Sequence, residues 1–192
     1  MLKQHQGNSI PYNYRLAPLL IRDTLYALIP DGTEHICVTG IGSNVISGDS
    51  LGPFVGTLLR DSFPTHLTVY GNLQTPLDGT TIEKEISRFN LPSNCFVIGI
   101  DSVLGSESLL NSIVISNSAL HPGAGLGKNL PCIGDCSVMG VVLEKHTPDH
   151  TSLLYTDLHV IYTMAVNIAK AISLLVRQYF RYPADHPILQ VR

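Results

Sequence analysis

Three short apolar runs rich in β-branched residues, 35–41 (HICVTGI), 67–70 (LTVY) and 95–100 (CFVIGI), are separated by segments with helical spacing. Runs of this length without polar alternation read as strands buried on both faces. Strands that alternate with helices need crossover connections, which lay helices on both faces of a parallel sheet. Leu16, Leu19, Leu20, Leu28 and Ile29 mark one face of a first helix, stopped at Pro30, Asp31 and Gly32. A second helix covers residues 51–61, with Pro53 in its first turn and Val55, Leu58 and Leu59 on one side. A third covers 81–89 and turns Ile82, Ile86 and Phe89 inward. The rhythm then changes, because 112–116 (SIVIS) and 137–143 (SVMGVVL) are strands with no helix between them. Finally, Leu158, Ile161, Tyr162, Ala165, Ile168, Ala169, Ile172, Leu175, Val176 and Tyr179 recur at intervals of three and four, which predicts one long amphipathic helix ended by Pro183. The expected fold is α/β, a three-layer α/β/α sandwich with a mixed sheet of about five strands.

A chain of 192 residues, 44% hydrophobic and only 14% charged, is long and apolar enough for one sizeable core. Residues 1–15 are polar and aperiodic and read as a flexible N-terminal arm, leaving 16–192 as a single α/β/α domain. A net charge of -3 without a basic stripe argues against a nucleic-acid partner. The most apolar stretch, 153–176, is interrupted by Asp157, His159 and Lys170, so no membrane span is expected. No apolar segment precedes the first proline, which argues against a secretory signal and for a cytoplasmic location. There the four cysteines, Cys37, Cys95, Cys132 and Cys136, are expected as reduced thiols, Cys37 and Cys95 serving as small buried hydrophobes.

Asp49 stands in the loop after the first strand, at the mouth of a helix, and Asp101 ends a central strand. In open α/β sheets both positions face the crevice outside the carboxyl ends of the strands, where ligands bind. Two carboxyls that converge there can share a proton, one ionised as base and one neutral as acid. The plainer alternatives are that Asp49 caps the helix and Asp101 begins a turn, although a carboxylate abutting an apolar strand needs a partner or a cavity. The Gly-rich connection 118–136 exceeds the roughly 12–15 residues beyond which a structureless loop is usually functional. It carries His121, Gly123, Gly125, Gly127 and Lys128, the glycines implying a close approach of main chain to something. Asn44, Ser50, His121, Gly123, Gly125 and Lys128 are the candidate substrate-binding residues, and a histidine beside two carboxylates suits a divalent transition metal. Four other motifs match incompletely. A phosphate loop would need Gly at Pro122 and Ser or Thr at Asn129, and a dinucleotide fingerprint would need Gly at Val45. Residues 48–51 spell the GDSL esterase motif with Ser50 as nucleophile, but the strand ends seven residues earlier and no Asp-x-x-His follows downstream, which leaves it a minor alternative. Cys132 and Cys136 lack two further ligands at zinc spacing.

Together, TGIGSNVISGDSLGP, VIGIDSVLGS and HPGAGLGKNLPCIGDCSVMGVV resemble the YyaC family of sporulation proteins, over roughly residues 35–145. The same segments are more distantly similar to the spore germination protease, which cleaves small acid-soluble spore proteins, and to hydrogenase maturation endopeptidases. These share a phosphorylase/hydrolase-like fold, so the resemblance implies that fold here. It also implies an acid pair at Asp49 and Asp101, and by way of the hydrogenase maturation enzymes a metal such as nickel on Asp49, Asp101 and His121. The function implied is that of a sporulation-associated, peptidase-like protein of the forespore or mother cell, hydrolysing a peptide bond in a protein substrate such as the small acid-soluble spore proteins. The chain departs from the germination protease in being much shorter, without its pro-segment. The alternative is a non-catalytic spore binding or structural module that keeps the fold and holds a divalent metal. The long C-terminal helix is expected to cover the sheet, a homodimer interface being the alternative use of any stripe left exposed.

Overall fold

Six strands form one mixed sheet: β1 (Ser9–Pro11), β2 (His35–Gly40), β3 (Leu67–Tyr70), β4 (Cys95–Gly105), β5 (Ser112–Ser116) and β6 (Cys136–Glu144). Four helices accompany them, α1 (Ala17–Tyr26), α2 (Leu51–Leu59), α3 (Ile82–Ile86) and α4 (Leu158–Tyr179), in a computed structural model that describes residues 9–123, 130–145 and 150–189. The strand order is β1-β5-β6-β4-β2-β3. β3, β2, β4 and β6 run parallel, β5 is antiparallel to β6, and β1 is antiparallel to β5. This is the expected α/β architecture with one strand more than the apolar runs suggested.

The two faces of the sheet are covered unequally. Ile36 and Val38 of β2, Phe96, Ile98 and Ile100 of β4, and Val138 of β6 join the main core with α1, α2 and α4. α4 packs against both α1 and α2 and is the central helix of that layer. Its Ile161, Met164, Ala165, Ile168, Ile172, Leu175 and Val176 are fully buried, each large aliphatic stabilising by roughly 1.5–3 kcal/mol. By length and composition α4 is apolar enough to cross a membrane, but its apolar face is spent on this core. At its start Asp157 accepts a hydrogen bond from the His159 N–H at 2.8 Å, an N-cap that satisfies one of the helix's orphan donors. The opposite face of the sheet carries a small cluster of Ile41, Ile82, Leu120 and Ile133, supplied by α3 and by the two ends of the Gly-rich connection.

α2 approaches the sheet backbone to backbone. A Cβ on Gly52 would lie 2.3 Å from the Ile41 carbonyl oxygen, and one on Gly56 would lie 1.9 Å from that of Gly71. On the sheet side, a Cβ on Gly40 would lie 2.3 Å from the Gly52 oxygen. No side chain fits between these surfaces. Leu51 then reaches past the first turn to pack over Gly140 of β6.

Four expectations need correction. Ser9–Pro11 is not part of a loose arm but pairs with Ser112–Val114 as an edge strand, because Ile10 has an apolar site to fill and is 5% exposed. The buried face of α1 is Ala17, Ile21 and Leu25, whereas Leu16, Leu19 and Leu20 are exposed; with leucines on both sides, counting them selects the wrong face. The helix expected over 81–89 is helical only at Ile82–Ile86, and Phe89 leaves it to stack on Tyr70 with ring centroids 3.9 Å apart. Asp101 does not end its strand, since β6 continues to pair with β4 as far as Gly105.

The glycine contacts give a stability prediction. Gly56→Ala is expected to destabilise the chain by about 3 kcal/mol in urea unfolding, the upper end of overpacking costs. Gly32→Ala, at φ +83 with open space around its Cβ position, should cost only about 1 kcal/mol. Equal losses would mean that the α2 approach is not tight.

Candidate functional site

The site forms where neighbouring strands stop at different heights. β2 ends at Gly40, level with Ile100, while β4 continues. The Ile41 N–H still donates to the Ile100 carbonyl at 2.8 Å, and then the chain turns away. Asp101 is therefore the first residue of β4 without a β2 neighbour, flanked on its other side by Met139 of β6. The chain leaving β2 folds back at once. Gly42 has φ +132 and leaves no room for a Cβ, which would sit 1.9 Å from the Asp49 carbonyl oxygen. The Ser43 N–H donates to that same oxygen at 2.8 Å. This closes the 43–49 loop and sets Asp49, in a single 3-10 turn (Ser47–Asp49), over the end of β2 and one residue before the N-cap of α2. The positive end of the α2 dipole favours an anionic Asp49 there. Ser47 anchors the turn from outside through its hydroxyl, which donates to the Leu154 carbonyl at 2.9 Å.

The two carboxyls have opposite environments. Asp101 is 8% exposed, whereas Asp49 is half-buried. Burial, and next the negative charge of Asp49, push the Asp101 carboxyl well above its ordinary value of 3.8; a hydrogen bond from the Ser102 N–H at 2.7 Å offsets part of this. Among the described residues the ion pairs are Arg22–Asp23, Arg60–Asp61 and Arg88–Glu85, and none involves Asp101. Burial beside an anion favours the protonated form of a carboxyl, so the two environments push the pair apart, with Asp101 the more readily protonated.

Of the other expected residues, the structure brings few to this point. Asn44 is exposed, and its side-chain amide donates to the Leu73 carbonyl at 3.0 Å. Ser50 is 4% exposed, and its hydroxyl donates to the Ser47 carbonyl at 2.7 Å, which uses it as a turn-former. Gly123 is half-buried with φ +69, while Gly125 and Lys128 lie outside the described residues. His121 is exposed, with Nδ1 3.2 Å from Cys132 Sγ. Among the described residues no three His, Cys, Asp or Glu side chains converge as a metal ion needs. His121 is turned to Cys132 and does not stand with Asp49 and Asp101 as the third ligand expected of a nickel-type centre. Sequence reasoning missed a groove of about 440 Å³ beyond the Leu77 segment, lined by Tyr70, Gly71, Pro76, Leu77, Thr81 and Phe89 among others. Leu77 borders the site directly, since its carbonyl accepts from the Gly42 N–H at 3.0 Å. The turn residues Asn72, Pro76, Asp78 and Gly79 were the available signal for a shaped loop here.

A family model described as "Protein of unknown function (DUF1256)" matches residues 10–171. The chain belongs to the DUF1256 family. This member is 34% identical over 156 residues to the uncharacterized protein YyaC of Bacillus subtilis (strain 168), covering 81% of this chain and 76% of that one. The resemblance seen in the motifs therefore extends over most of the sequence. Its fold is similar to that of the NiFe hydrogenase maturation protease HycI from Thermococcus kodakarensis KOD1, with a TM-score of 0.51 at 16% identity, over 80% of this chain and 99% of that one. The likeness is one of fold, a mixed-sheet α/β scaffold.

The raised pKa of Asp101 has a stability consequence. Above the ordinary aspartate value of 3.8 the unfolded chain has lost this proton while the folded chain still holds it, so Asp101 makes stability fall as pH rises. Asp101→Asn removes that penalty. Urea-unfolding midpoints of the variant are expected to gain on those of the native chain as pH rises above the ordinary aspartate value of 3.8. A difference that does not change with pH would show that Asp101 ionises normally.

Proposed function

We propose that this DUF1256 protein is a peptidase that hydrolyses a peptide bond with a two-aspartate site, in the setting of sporulation. The observation that carries the reading is the contrast within the pair, Asp101 buried with its pKa raised beside a half-buried Asp49, where β2 ends alongside the continuing β4. Asp49, half-open to solvent, takes a proton from water as the water oxygen bonds to the substrate carbonyl carbon. Asp101 donates its proton to the amide nitrogen as the carbon–nitrogen bond breaks. The proton gained by Asp49 then passes to Asp101, directly or through water, and resets the pair. The groove beside Leu77 gives an extended polypeptide a place to lie. The peptidase-like scaffold supports the reaction class, and the motif resemblance supports a spore protein as substrate, with small acid-soluble spore proteins the first to test and the forespore or mother cell as the place of action.

One observation favours a second reading, a binding module of the spore without chemistry. Asp101 is 8% exposed, and the Leu120–Ile133 bridge lies over Gly99, two residues before it on the same face of β4. A substrate carbonyl would have to displace part of that cover to reach the acid.

The deciding experiment incubates the purified protein with small acid-soluble spore proteins and reads fragments by mass spectrometry, with and without added divalent metal. Specific cleavage is expected, reduced at least about 100-fold in both Asp49→Asn and Asp101→Asn while circular dichroism stays unchanged. Cleavage retained in both variants would sink the two-aspartate mechanism. Saturable binding of these proteins without cleavage would establish the binding module instead.

A further inference from the structure

We propose that Cys132 and His121 form a separate thiol modification site, in which the imidazole serves as base and a small peroxide is the electrophile. The pair is set by the backbone. Leu120 and Ile133 exchange both main-chain hydrogen bonds, at 2.8 and 2.9 Å, in an isolated antiparallel bridge. His121 and Cys132 are the next residues outward on the two arms and so stand opposite each other. Successive side chains alternate in direction. Leu120 and Ile133 turn inward and are 3% and 5% exposed, so His121 and Cys132 turn outward, and both are exposed. Their Nδ1 and Sγ atoms are 3.2 Å apart. Pro122 and Pro131 flank the pair on its outer side and restrict the backbone of both arms.

The other thiols contrast with this one. Cys37 and Cys136 are buried and Cys95 is half-buried. Burial, followed by the charge of Asp135, pushes Cys136 up to about 12. Cys132 alone of the four combines exposure with a neighbouring base. The pair lies outside the acid site, because its side chains point away from the sheet that holds Asp101, and the inference is independent of peptidase activity.

With the ring proton on Nε2, Nδ1 accepts the thiol proton as sulfur attacks one peroxide oxygen. The sulfur–oxygen bond forms as the oxygen–oxygen bond breaks. The departing oxygen takes the proton back from the imidazolium and leaves as water or an alcohol. Cys132 becomes a sulfenic acid, which an external thiol reduces in a later step.

The test treats the full chain with hydrogen peroxide in the presence of dimedone and follows each cysteine-containing peptide by mass spectrometry, in the folded state and in urea. An exposed thiol without a base reacts no faster folded than unfolded. Cys132 is expected to react at least about tenfold faster in the folded chain than in the unfolded one, and His121→Ala should bring it to the unfolded rate or below. Cys37, Cys95 and Cys136 should react more slowly folded than unfolded. A folded Cys132 no faster than its unfolded counterpart would overturn the proposal, even if the variant failed to fold. So would a folded His121→Ala chain whose Cys132 reacted at the native rate.

Discussion

The contact on which the site depends is the approach of α2 to β2 and β3 with nothing but hydrogen on the facing α-carbons. Gly52 and Gly56 on the helix meet Ile41 and Gly71, the residues just past the ends of β2 and β3, and Gly40 completes the contact from β2. At this separation the first turn of α2 lies directly against the end of β2, and the intervening loop has little freedom. Gly42 and the Ser43–Asp49 hydrogen bond close what remains. The position of Asp49 is therefore a result of helix–sheet packing, with the loop sequence adjusting to it. A bulkier residue at either helix glycine would push the helix outward and carry Asp49 away from Asp101.

The second constraint is the unequal length of β2 and β4. In an ordinary doubly wound sheet the parallel strands end together and their loops share one crevice. Here β4 gains its extra length from β6, which pairs with it to Gly105, while β2 stops at Gly40. Asp101 is held by a strand on one side and faces the mouth of a loop on the other. A strand fixes a carboxyl far more firmly than a loop does, and it also removes the carboxyl from water. Both effects act on Asp101, and neither acts to the same degree on Asp49.

Much of this was legible in the sequence, for identifiable reasons. Buried parallel strands have to be apolar on both faces, so HICVTGI, LTVY and CFVIGI marked themselves. The α4 stripe was long enough for its period to be unmistakable. Asp49 and Asp101 stood out because each carboxyl followed an apolar strand, the place where a charge needs a reason. What could not be read depended on partners far away in the chain. Three residues with one inward side chain, Ile10, have too little pattern to announce β1. The extent of β4 is fixed by β6, some forty residues later, and the buried face of α1 by α4. His121 was singled out as a ligand, but its true neighbour, Cys132, is set by a two-residue ladder whose closing bridge carries no sequence signature.

The division of labour proposed for the two aspartates rests on where the fold puts them. A carboxyl serves as a proton donor near neutral pH only if water is kept from its anion, and burial within β4 acts in that direction on Asp101. A carboxylate that takes a proton from water has to stay wet, and a turn at the mouth of a helix does that for Asp49. The two conditions conflict for any pair of residues on the same element. They are compatible here because one residue belongs to a strand and the other to the loop above the neighbouring strand's end, so that neighbouring groups have different environments.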